Sequence, residues 1–160
     1  MRSSISIFAL LSCLLSIPVD SSAGDEGIPY ISPGFGFSWN FGSGFVFTPK
    51  LSLGYVGEYG FVNLTVAAAT CLSESPHSLY IIETQFGTGC GTRDIPLVGG
   101  GGIGAAFQKT EEGVKVYPTG TAFIGFFLFA KVDIVLREKT RIDAGTEIVF
   151  PIPLKRIRIG

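Results

Sequence analysis

The sequence predicts an all-β chain, a single antiparallel up-and-down β-barrel of about eight strands. Three observations carry that prediction. Apolar residues alternate with small or polar ones over long stretches, which puts every second side chain on the same face of a strand. Glycine (22 residues) and phenylalanine (14 residues) recur at short intervals, a composition of strands and turns. No long helix, heptad, linker or clear repeat interrupts the pattern.

The alternation is cleanest from Gly34 to Tyr55. Odd positions carry Phe35, Phe37, Trp39, Phe41, Phe45, Phe47, Leu51, Leu53 and Tyr55. Even positions carry Gly34, Gly36, Ser38, Asn40, Gly44, Thr48, Lys50, Ser52 and Gly54, with Val46 the exception. Gly42-Ser43-Gly44 supplies the backbone for a tight connection, so this segment predicts two strands and a hairpin. Near the other end, Ala122 to Leu136 forms an unbroken even-numbered apolar series, with Lys131, Asp133 and Arg137 opposite. Ile142, Ala144, Thr146, Ile148, Phe150, Ile152 and Leu154 share one face of the following strand, and Arg141, Asp143, Gly145 and Glu147 the other. A hairpin around Lys139 makes the two apolar faces coincide and sets Lys131 opposite Glu147, a register that keeps charge with charge. Between these ends the signal is weaker. Val62 to Ala68 reads as a strand, Leu79 to Phe86 is β-like without a clean dry face, and Ile103 to Phe107 leads to a turn at Thr110-Glu111-Glu112-Gly113.

The first residues read as an export signal. Arg2 is a short positive region, Ile5 to Val19 is almost wholly apolar, and Ser21-Ser22-Ala23 presents small residues before Gly24. The expected organisation is a cleaved signal over 1–23 and one barrel domain over 24–160. The apolar run is too short for a spanning helix. Leu10-Leu11-Ser12-Cys13 is superficially a lipoprotein signal, but the apolar core continues past Cys13 and favours the cleaved form. Without Arg2 and Asp20 the domain keeps 11 basic and 12 acidic residues, against 12 and 13 in the whole chain. That balance has no basic block to recruit nucleic acid.

Which face meets water follows from the small face. A solvated sheet face made so largely of glycine would be entropically poor and cover little. In a narrow membrane barrel the inward face must be small or internally paired, and the outward one large and apolar. The charged residues Lys131, Asp133, Arg137, Arg141, Asp143 and Glu147 then sit inside as an ion network, as buried charges require.

On Gly34-Phe-Gly-Phe-Ser-Trp-Asn-Phe41, Leu51-Ser-Leu-Gly-Tyr55 and Ala144-Gly-Thr-Glu-Ile-Val-Phe150, together with the export signal, the chain resembles the small outer-membrane β-barrel proteins of Gram-negative bacteria. The resemblance is one of class pattern and covers most of 24–160. It departs at 156–160, where the class usually ends on an aromatic residue. It implies a bacterial outer-membrane location, the lipid bilayer as partner, and a structural, surface-contact or adhesion role without catalysis. An interior of eight strands is just wide enough for side chains, which excludes a wide pore. The alternative is a soluble secreted or periplasmic β-barrel or sandwich that turns its Phe-rich faces inward around an apolar ligand, or binds a protein partner.

Candidate chemistry is sparse. Cys71 and Cys90, the cysteines beyond the signal, form the expected disulfide of an exported chain. That bond requires Leu79 to Phe86 to fold back as a loop hairpin, because a spanning strand would hold the two thiols apart. His77, the sole histidine, stands with Ser73, Glu74, Ser75 and Ser78 in an expected solvated loop rather than on rigid strands. Gly99, Gly101 and Gly104 match a nucleotide-binding glycine pattern, but no helix follows to meet a phosphate. Asn63-Leu64-Thr65 is a formal glycosylation sequon, meaningless in a bacterium. One histidine and two distant cysteines make no metal set, and no cofactor is expected.

Overall fold

The computed structural model describes residues 27–57, 59–72, 78–89, 97–126 and 128–154. The expected signal, His77 with 73–76, and Cys90 lie outside them. The strands are β1 (Ile28–Asn40), β2 (Gly44–Gly57), β3 (Gly60–Cys71), β4 (Ser78–Gly89), β5 (Val98–Thr110), β6 (Gly113–Gly125), β7 (Leu128–Val135), β8 (Arg141–Val149) and the short β9 (Ile152–Pro153). Each of the first seven pairs antiparallel with the next, β8 pairs with β1 to close the ring, and β9 pairs with the start of β1.

Closure fixes the stagger. Partners followed from Tyr30 run through Gly54, Asn63, Gln85, Gly102, Thr121, Asp133 and Asp143, and arrive back on β1 at Asn40. The ten positions between Tyr30 and Asn40 are the shear that tilts the strands and lets a sheet close. The connections at 41–43, 72–77, 111–112 and 136–140 share one end, the turn end. Those at 58–59, 90–97 and 126–127 share the other, the terminal end, with Ile28 and Leu154.

Local chemistry makes the turns. Gly44 takes the left-handed backbone (φ 86°) after the first hairpin, a conformation that costs glycine nothing. Asn40 Oδ1 accepts from the Gly42 and Ser43 amides at 2.9 and 2.7 Å, holding that turn.

The alternation settles as large-outward. Phe37, Trp39, Phe45, Leu51, Leu53 and Tyr55 lie 41–56% exposed, while Thr48, Lys50 and Ser52 between them are buried. The soluble alternative with the Phe-rich face inside is therefore corrected. A continuous exposed belt of this kind is incompatible with water and matched to a bilayer. Phe123 and Phe129 are the reverse case, buried in the lumen.

Two further expectations change. The β7–β8 register pairs Lys131 with Gly145 and Glu147 with Phe129, two positions from the predicted match. A shift of two preserves every face. The second concerns β4, which pairs along its whole length with β3 and β5, so the expected fold-back hairpin is replaced by a full strand.

The seam between β1 and β9 is built differently from the rest. Phe150 and Leu154 donate to the Pro33 and Pro29 carbonyls at 2.9 Å, but proline has no N–H to return the bond. Pro151 and Pro153, alternating with those donors, aim away from β1 toward the side where β9 has no neighbouring strand among the described residues.

Candidate functional site

Inward side chains pack the turn end and the middle of the barrel in two layers. At the turn end Val46, Ala69, Leu79, Ala106 and Val135 form a dry cluster, with Ile81 and Tyr117 against it. Beside it Arg141 Nε donates to both Asp143 oxygens at 3.0 and 2.9 Å, and Asn40 Nδ2 donates to Asp143 Oδ1. Arg141 Nη2 also lies 2.7 Å from Asp143 Oδ2, but off the hydrogen-bonding axis.

The middle layer is ionic. Glu147 on β8 bridges two lysines, with Lys50 Nζ 2.7 Å from Oε1 and Lys131 Nζ 3.3 Å from Oε2. Lys131 also reaches Asp133 at 3.1 Å, and Thr121 Oγ1 donates to the same carboxylate. A second chain runs across β2, β3 and β4. Ser52 and Thr65 share a 2.8 Å bond, Thr65 Oγ1 donates to Gln85 Oε1, and Gln85 Nε2 donates to Glu83. Buried groups of this kind need such pairing because the lumen offers them little water.

Of the residues expected in an interior network, Lys131, Asp133 and Glu147 come together. Arg141 and Asp143 form a separate pair nearer the turn end. Arg137 stands apart at the exposed β7–β8 hairpin, where its Nε donates to the Lys139 carbonyl. The hairpin lies beyond the sheet's inward face, so an arginine there has solvent rather than a buried partner. Sequence reading missed Lys50, Glu83 and Gln85 as members. Lys50 left a signal, the single charge on the small face of β2; Glu83 and Gln85 sit in a strand whose dry face was not apparent.

The terminal end holds a cavity of about 400 Å³. Ile28, Val56, Phe61, Val98, Phe126 and Pro153 contribute to its apolar wall, and Ser32, Lys50, Ser52, Asn63, Gln85 and Glu147 to its polar floor. Tyr30 OH donates to Asn63 Oδ1 across Gly54. A Cβ on Gly54 would collide with both partners, so the glycine makes the room for that bond.

The remaining candidates resolve into structure. Cys71 ends β3 at the turn end, its Sγ 2.9 Å from the Ser43 carbonyl. Gly89, which precedes Cys90, lies at the far end of β4. Twelve residues of strand, roughly 35 Å, separate that position from Cys71, against the ~6 Å between Cα atoms that a disulfide needs. The expected Cys71–Cys90 bond thus runs against the register. Gly99, Gly101 and Gly104 lie within β5, and Asn63 of the sequon is buried in the lumen. Among the described residues no set of three His, Cys, Asp or Glu side chains could hold a metal ion.

No protein-family model matches the sequence, and no curated protein matches it. Solved structures do. The N-terminal β-barrel domain of Pseudomonas aeruginosa OprF aligns over 79% of this chain and 100% of its own, with 12% identity and a TM-score of 0.57. A designed transmembrane β-barrel aligns over the same shares with 14% identity and a TM-score of 0.43. Closed ring, apolar belt and paired interior together are the fold of a small outer-membrane β-barrel.

Proposed function

We propose that this chain is a non-catalytic barrel of the bacterial outer membrane that gives structural support and surface contact and conducts no solute. The observation that carries the reading is the filled lumen: the dry cluster around Leu79 and the Lys50–Glu147–Lys131 layer lie across the path between the two ends. A contact surface is available in the β5–β6 hairpin. β5 pairs with β4 only as far as Phe107, and β6 meets β7 only from Pro118, whose carbonyl accepts from the Leu136 amide, so Gln108 to Val116 extends beyond both neighbours. Its tip carries Glu111, Glu112 and Lys115 beside the exposed Val114 and Val116.

The test is cell fractionation, gel mobility with and without boiling, and current recording in planar bilayers. Membrane-fraction protein with heat-shifted migration and a flat current trace is the expected result. Stable conductance steps would overturn the sealed lumen, and detergent-free soluble protein would overturn the membrane location.

A further inference from the structure

We propose that the cavity at the terminal end binds one small amphiphile, its uncharged hydrogen-bond-accepting head on the polar floor and its hydrocarbon body along the apolar wall. The cavity has the size and composition of a ligand site, mostly apolar with a few convergent polar groups. Its 400 Å³ accommodates about a dozen water-sized or methylene-sized groups. The dry cluster and the ionic layer close the side toward the turn end, so among the described residues the pocket is blind on that side.

The floor states what the head must be. Ser32 is 4% exposed and Asn63 is 9% exposed. Asn63 uses its Oδ1 for Tyr30, which leaves its Nδ2 as a donor, and Ser32 and Asn63 both line the cavity. Polar groups that face a cavity are matched by a polar group placed within it. Both can donate, and Lys50 retains donors beyond the one given to Glu147, so the head is an acceptor. It is also neutral. Glu83, Asp133 and Glu147 already outnumber Lys50 and Lys131 in the layer beneath, which opposes an anion. Glu147, the carboxylate on the floor, is held by both lysines and has little left for a cation. An alcohol, ester or amide on a medium-length chain meets these conditions.

The inference rests on the sealed-barrel reading, and the experiment separates the two. The full chain in phosphatidylcholine nanodiscs is titrated with 1-decanol, decanoate or decyltrimethylammonium, and backbone amide resonances are followed. Decanol is expected to shift the amides of Ser32, Ser52 and Asn63 saturably, with the two charged probes at least tenfold weaker. Val56→Trp, which fills the mouth, is expected to weaken decanol at least tenfold, and Ser32→Ala about fivefold. Should Val56→Trp lose its heat-modifiable migration, Val98→Trp replaces it. Interior amides that stay unmoved, that move without saturation alongside the belt, or that respond equally in the filled variant overturn the site. Tighter binding of either charged probe overturns the neutral head. Heat-modifiable wild-type protein that fails to bind leaves the barrel reading standing and removes only the ligand.

Discussion

At the scale of single residues, the barrel depends on a few inward positions with narrow tolerances. Gly54 lies between Tyr30 and Asn63 on the neighbouring strands, and their bond crosses over it. Gly54→Val puts a branched side chain into that space, and the expected cost is about 1–3 kcal/mol, read from urea unfolding in lipid vesicles. Glu147 holds two lysines at 3–5% side-chain exposure for itself and Lys50. Glu147→Gln leaves both ammonium groups undercompensated and is expected to cost about 3 kcal/mol; a Lys50→Met/Glu147→Gln pair should recover part of it in a double-mutant cycle. The inward placement of Lys131, Asp133 and Glu147 was legible in the sequence because each stands opposite an unbroken apolar face. The partnership of Lys50 with Glu147 was not. They are 97 positions apart, and only the closing β8–β1 seam brings their strands near.

Among the elements, period two determines faces far better than it determines partners. The two terminal hairpins were readable in place, yet the β7–β8 register came out two positions away, since either match leaves the apolar face outward and keeps Lys131 near Glu147. Geometry then decided between them: Lys131 reaches Glu147 diagonally, over Gly145, where no side chain obstructs it. β4 was obscure for a physical reason. Its inward residues include Leu79 and Ile81, which belong to the dry cluster, so apolar side chains appear on both faces. The β5–β6 hairpin behaves as an appendage. Shortening its tip by replacing 110–113 with Asn-Gly is expected to change stability by no more than ~0.5 kcal/mol in the same urea assay. Surface contact, measured as binding of whole cells to a host-cell or abiotic surface, is expected to fall.

For the whole molecule, the exterior sets the environment and the interior sets what can pass. Leu53 and Ile134 belong to the outward belt. An arginine at Leu53 is expected to cost about 2–4 kcal/mol if that position lies near the bilayer midplane, whereas the same change in a soluble sheet would be nearly neutral. Fold class was legible because an entire face of glycine, serine and asparagine has a sensible place only inside a narrow ring. The pocket was not, since its lining comes from all eight strands of the ring and the β9 segment at once. The four prolines at the β1–β9 seam reach beyond one chain. An open strand border ordinarily invites a second chain to continue the ladder. Here Pro151 and Pro153 remove the donors from that border, so two copies meeting side by side in a crowded membrane find no N–H there with which to continue the ladder.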